Sequence, residues 1–265
     1  MKMLQIPLTT SESKKLISDA LFHMNCVKKA LNNGILVIHP SSTVYFLYEN
    51  ICGCLPEDGW VFGLVTKDGL CRSQFVVNKL SSDKPSRKVW IFKKGVLVDP
   101  MSLDEILSEM GPGDVFIKGC NAIDSDGNIA VLSSAPEKGG TTGKVLKAKA
   151  ERGFELLVPV GAEKSIPNRI SDLLEFCGKS KADCGGGLAC GIFPINGART
   201  ITEVQAIIEL FGIEAIVGAG GGICGAEGGT IIYAKAEDDK CQEVLDYFAS
   251  IKGVKIPDTE YVSYN

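Results

Sequence analysis

Three short segments of the chain bring hydroxyl, amide, carboxylate and ammonium groups together at spacings that suit a small anion. In His39-Pro40-Ser41-Ser42-Thr43 a short apolar run ends in three hydroxyl residues that lead into a helix. Free backbone N–H groups and hydroxyls at a helix N-terminus hold a phosphate or carboxylate, aided by the helix dipole. The same residues also serve as plain N-caps. In Gly119-Cys120-Asn121-Ala122-Ile123-Asp124, Asn121 is a candidate to orient a hydroxyl or carbonyl and Asp124 a candidate acid or base. A turn before Asp126-Gly127 favours the same residue types. The third segment, Glu137-Lys138-Gly139-Gly140-Thr141-Thr142-Gly143-Lys144, offers Gly140, Thr141, Thr142 and Gly143 as an anion-holding loop. Lys138 and Lys144 would be its counter-charges. It is no nucleoside-triphosphate loop, because Val145 follows Lys144 where Ser or Thr is required.

The elements that must position these segments alternate. Thr9-x-x-Glu12 fits a capping box, and Ile17, Ala20, Leu21, Met24, Val27 and Leu31 keep a 3.6-residue period after it. The continuous apolar runs Ile35–Ile38 and Phe154–Val160 read as buried strands, as in a parallel sheet covered by helices, and Asp114–Lys118 reads as another short strand. Further strands are expected at 60–65, 88–92 and 129–132, and helices at 44–51, after Ser102-x-x-Glu105 and after Gly143. The pattern predicts an α/β, Rossmann-like, mostly parallel sheet with helices on both faces over residues 1–165. A connecting helix and a Gly185-Gly186-Gly187 hinge are expected over 166–187. From 188 to 265 the order strand, helix, strand, strand, helix, with a last strand near Tyr261, predicts a C-terminal ferredoxin-like α+β domain. Thr200-x-x-Glu203 is the expected cap of its first helix.

Composition narrows the partners. Lys+Arg 28 against Asp+Glu 32 leaves a net charge of −4, without the basic excess that nucleic-acid binding requires. The start MKMLQIPLTTSESKK has no apolar signal region, and no stretch is long enough to span a bilayer. A cytoplasmic protein with reduced thiols is expected, so its 10 cysteines are read mostly as buried hydrophobes. Cys177, Cys184 and Cys190 match no metal-ligand spacing, and no metal or cofactor is expected. Cys120 is a candidate nucleophile if the fold brings His39 near it. The glycine-rich run 218–229 fails as a dinucleotide fingerprint because a strand, not a helix, follows it. It reads as a hairpin tip, or as a flap presenting Glu227 to a ligand.

Together the three segments resemble the superfamily of ribose-5-phosphate isomerase, glucosamine-6-phosphate deaminase and the coenzyme A transferases. The likeness covers roughly residues 12–160: strand and Ser/Thr turn at 35–43, the Gly-Cys-Asn-Ala element at 119–122 with its acidic residue and turn, and the Gly-Thr loop before a helix and apolar strand. It implies a Rossmann-like fold binding a sugar phosphate, coenzyme A ester or nucleotide, with isomerase or acyl/coenzyme A transferase chemistry. Where the sugar isomerases of that group place a first catalytic Asp, this chain has Asn121. Glu137 is the nearest candidate for the transferases' catalytic Glu. The same pocket without turnover would make a metabolite sensor, and the C-terminal part an interaction module or homo-oligomer edge.

Overall fold

The computed structural model describes residues 1–56, 65, 69–71, 75–76, 89–256 and 262–263. The expected strand at 60–65 lies outside the described residues except for Val65, and Tyr261 lies outside them too.

The chain opens with a strand, β1 (Lys2–Leu8), in which Leu4, Ile6 and Leu8 are buried and the residues between them exposed. Helix α1 (Thr10–His23) follows behind a reciprocal cap: the Thr9 hydroxyl accepts from Glu12 N–H at 3.3 Å, and Thr9 N–H donates to Glu12 Oε2 at 2.9 Å. The expected single helix is two, because extended backbone at the buried Met24 separates α1 from α2 (Asn25–Asn33). Next come β2 (Ile35–Ile38), a single 3-10 turn (Ser42–Val44) and α3 (Tyr45–Cys52), which stops at left-handed Gly53. Then follow β3 (Phe75–Val76), β4 (Trp90–Lys93), β5 (Val96–Leu97), α4 (Leu103–Glu109) and β6 (Val115–Ile117). The hairpin strands β7 (Ala122–Ile123) and β8 (Ile129–Ser133) lead to α5 (Gly140–Arg152) and β9 (Glu155–Pro159). The remainder is α6 (Ile170–Cys177), β10 (Gly191–Ile195), β11 (Arg199–Ile201), α7 (Glu203–Phe211), β12 (Glu214–Gly221), β13 (Gly229–Ala236), α8 (Asp238–Ser250) and β14 (Val262–Ser263).

The protein is mixed α/β around a six-stranded sheet ordered β11-β9-β6-β2-β4-β5. The first four strands run parallel; β4 and β5 are antiparallel additions. Alternation sends side chains to both faces. Leu36, Ile38, Val115, Ile117 and Leu157 join α1, α3 and α7 in one core. Val37, Phe116, Leu156 and Val158 join Ile106 of α4 and Val145 of α5 in the other. Burial on both faces is why these strands read as uninterrupted apolar runs.

Residues 188–265 do not make the expected ferredoxin-like sheet. Their strands disperse: β10 pairs with β8, β11 extends the central sheet beside β9, and β12 and β13 form an antiparallel sheet with β1. Strand and helix periods were legible, but β10, β11 and β13 found partners earlier in the chain, and only β12 pairs wholly within this region. Pairings of β10 and β11 with strands before residue 160 therefore cross the expected boundary at 166–187. The α7 cap is also displaced by two residues. Thr202 caps and Gln205 replies, because Thr200 is held in β11 opposite Val158.

Candidate functional site

Ligands of open α/β sheets bind beyond the carboxyl ends of the parallel strands. Here β2, β6, β9 and β11 end along one edge, and the backbone ladder continues one residue past three of them. His39 N–H donates to Ile117 O at 2.8 Å, Lys118 N–H to Leu157 O at 3.0 Å and Val160 N–H to Ile201 O at 3.0 Å. The residues that follow are therefore held by the sheet rather than by loops.

After β2 stand Ser41, Ser42 and Thr43. A methyl built on Gly119 would lie 3.4 Å from Ser41 Oγ and 4.0 Å from Pro159 O, so the ends of β2, β6 and β9 converge there. Ser41 Oγ is buried and has no hydrogen-bond partner. Thr43 is fully buried: its carbonyl accepts from the Ser18 hydroxyl at 3.1 Å, and its Oγ1 accepts from Lys164 Nζ at 3.3 Å. Ser42 opens the 3-10 turn, half-buried.

After β6 stand Lys118, Gly119 and Cys120. Burial, with some help from Lys164, pushes the Lys118 ammonium down to about 8. Burial pushes the Cys120 thiol up to about 11, against the opposing pull of Lys164 and Lys118, while nearby Glu163 pushes the same way. Cys120 is thus a protonated thiol at neutral pH. His39 falls to about 3, through burial first and Lys118 second, so its imidazole is neutral at pH 7.

After β9 come Gly161 and a second 3-10 turn (Ala162–Lys164). Ala162 N–H donates to both oxygens of Glu203 (3.0 and 3.1 Å), the first residue of α7. Glu203 is fully buried, and burial is the main reason its carboxyl is raised. Glu163 curls back over Gly161, where a Cβ would sit 1.9 Å from its Oε2. Both Glu163 carboxylate oxygens are buried without a hydrogen bond, and Lys14 Nζ of α1 lies 3.9 Å away. Burial likewise lowers the Lys14 ammonium. Three lysines, two carboxylates, a thiol and a free hydroxyl gather at one edge. The glycine hairpin between β12 and β13 reaches it as well: a Cβ on Gly228 would lie 3.0 Å from Thr10 Cγ2 and 3.3 Å from Glu163 Cβ.

Of the residues expected from sequence, Ser41, Ser42 and Thr43 stand at this edge. Asn121 and Asp124 do other work. Asn121 Oδ1 accepts from Leu132 N–H at 3.0 Å, fastening the strand to β8. Asp124 accepts four hydrogen bonds, from the N–H groups of Asp126, Asn128 and Ile170 and from Asn128 Nδ2, all at 2.8–3.0 Å. Those bonds hold its carboxyl below the ordinary range against the cost of burial. It closes the β7–β8 turn and caps α6, with no lone pair left for a substrate proton. Glu137 and Lys138 are exposed. Lys144 pairs with Asp104 of α4 at 2.7 Å, Gly139 packs on the Phe193 ring of β10, and a Cβ on Gly143 would strike Lys138 O. Gly140 and Thr141 are half-buried and Thr142 is buried at the start of α5. The glycines of this loop answer packing, and its ion pair points to α4. Glu227 turns its Oε2 to Gly225 N–H of its own hairpin.

Sequence reasoning missed Lys14, Lys118, Glu163 and Lys164. Lys118, Glu163 and Lys164 follow the ends of apolar strand runs, the same signal that marked Ser41. Elsewhere, a cavity of about 340 Å³ lies between Pro7–Thr9, Gly220–Gly222, Gly229–Ile231, Glu12 and Lys252, and holds none of the expected site residues. Among the described residues no cluster of three or more His, Cys, Asp or Glu is placed to hold a metal ion, and no helix is long and apolar enough to cross a membrane.

The arrangement defines an α/β protein with a basic, partly unsatisfied strand edge. No family model matches the chain, and no curated protein matches it. Among solved structures it is similar to eIF2B delta from Chaetomium thermophilum, at 14% identity and a TM-score of 0.37 over 74% of this chain. It is also similar to 5-methylthioribose 1-phosphate isomerase from Pyrococcus horikoshii OT3, at 14% identity and a TM-score of 0.24 over 42% of this chain. The chain spans 58% of the length of the first and 34% of the second. Overlap of that size says nothing of activity.

Proposed function

We propose that the protein binds a small phosphorylated or carboxylated metabolite at the edge formed by β2, β6 and β9, and that it acts on it by proton transfer, as a sugar-phosphate isomerase does. The observation that carries the reading is the unpartnered, buried Ser41 hydroxyl beside Gly119, flanked by Lys118 and Lys164. Buried polar groups are almost always hydrogen-bonded, and exceptions call for an occupant or a task. An anionic oxygen at that point would accept from Ser41 and be neutralised by the two ammonium groups, which now repel one another. The expected resemblance to the isomerase and coenzyme A transferase superfamily fits this reading. The anion subsite moves from the Gly-Thr loop to the lysines. No cofactor, nucleic acid or membrane enters it, and the setting is cytoplasmic.

Thermal shift of the full chain with a panel of sugar phosphates, coenzyme A and nucleotides tests it. A rise with one class, lost in Lys118→Gln and in Gly119→Val, is the expected result. Gly119→Val places methyls where the anion would lie. No rise with any member, or a rise that survives both variants, sinks the reading.

A further inference from the structure

We propose that Glu163 is the catalytic base of this site, an inference that rests on the reading above. Three observations place it. Gly161 has no side chain, so the Glu163 carboxylate lies back against the end of β9, near enough to act on the charge of Cys120, which follows β6. Both its oxygens are buried and accept nothing, unlike Asp124 with its four donors or Glu203 with the Ala162 amide. Lys14 Nζ, at 3.9 Å, is the nearest cation of this ion pair and is too far for a hydrogen bond to occupy a lone pair. The lone pairs of Glu163 are therefore open to an incoming C–H, whereas those of Asp124 are taken by N–H groups. Gly228 of the hairpin lies against the same side chain.

The step balances without a co-reactant. Glu163 removes the proton on the carbon next to the carbonyl of the bound anion. The C–H electron pair forms a carbon–carbon double bond, and the carbonyl oxygen becomes an enolate oxygen facing the lysine ammonium groups. Glu163, now a carboxylic acid, returns the proton to the same carbon and restores the carbonyl; return to the former carbonyl carbon requires in addition that the adjacent hydroxyl pass its proton to the enolate oxygen, which moves the carbonyl by one carbon.

The test uses the full chain in D2O with the sugar phosphates of the panel. Proton NMR follows loss of the C–H signal next to the carbonyl, and thermal shift follows binding, each variant against its own midpoint. Glu163→Gln is expected to keep the ligand-induced shift and to slow exchange at least a hundredfold. Gly161→Ala keeps the carboxylate but pushes it from its seat, and is expected to slow exchange with binding retained. Exchange that persists in Glu163→Gln overturns the assignment and leaves the binding site standing. Binding without exchange in the unaltered protein also overturns it. Absence of any ligand-induced shift removes the site itself.

Discussion

Lys164 Nζ lies 3.3 Å from Thr43 Oγ1, a bond that spans the edge of the central sheet from the end of β9 to the end of β2. It passes β6, which stands between those strands, and so closes one side of the space beyond Gly119. A lysine that could range in solvent is thereby fixed with its charge toward the strand ends. Replacing Lys164 with Gln should weaken anion binding by about tenfold or more, since a charge-assisted hydrogen bond is worth about 1.5–3 kcal/mol. Stability should fall by only about 1 kcal/mol, the net worth of a single side-chain bond. Ligand titration and urea unfolding of the same variant separate the two effects.

Anion binding should weaken as pH rises above about 8. Lys118 has its ammonium lowered to about 8 by burial, so the unliganded protein loses that charge there rather than near the ordinary lysine value. Each further pH unit should cost up to about tenfold in affinity until another group takes over. The unfolded chain holds this proton up to its ordinary pKa, so folding stability should rise as pH climbs from about 8 to that value. Isothermal titration at pH 7 and pH 9, repeated on Lys118→Arg, whose guanidinium stays charged throughout, should show the dependence vanish while binding is kept.

His39 predicts the opposite edge of the pH range. Its folded pKa of about 3 lies below the ordinary 6.5, so the unfolded chain binds more protons between those values. Stability should therefore decline as pH falls from about 6.5 toward 3. His39→Gln should flatten that part of a thermal-midpoint curve against pH. A binding profile with a step near 6.5 that His39→Gln removes would contradict the neutral imidazole.

Asp124→Asn should behave as a structural lesion. The amide offers one acceptor oxygen where the carboxylate offers two, and presents a donor to amides that already donate. A loss of about 2–4 kcal/mol in urea unfolding is expected, from two or more broken bonds to a buried charged acceptor. Ligand affinity of the folded fraction should stay within about twofold. A variant of unchanged stability that abolishes exchange would return Asp124 to the catalytic role its residue type suggests.

Much of the frame was legible in the residues. Ile35–Ile38 and Phe154–Val160 were readable as strands because both faces are buried, and Thr9-x-x-Glu12 and Ser102-x-x-Glu105 as caps because both partners of each box lie within one turn. The edge where Ser41, Ser42 and Thr43 stand was legible too, through the rule that strand ends hold ligands. Its chemistry was not. Asn121 and Asp124 carried the right groups, but turn closure had the stronger claim on them. Glu163 and Lys164 belong to no motif, and only the packing of α1, the glycine hairpin and Thr43 around them marks them out. β1 escaped notice because Pro7, though it falls at an exposed position of the alternation, argues against a strand. Pro7 is tolerated because β1 is an edge strand, whose outward N–H positions need no partner. Strand partners were the least readable feature, since a period of two identifies a strand and says nothing of its neighbour.

The pairing of β1 with β13, Leu8 opposite Thr230, dictates a timetable for synthesis. A nascent chain leaving the ribosome carries Leu4, Ile6 and Leu8 bare until the segment through Ala236 has emerged. The central sheet has its parallel strands by residue 201, so the molecule matures from the middle and latches last at its first strand. Trimming the first eight residues would leave β13 with an open edge and expose Ile232 and Ala234, turning a well-behaved protein into one that clumps.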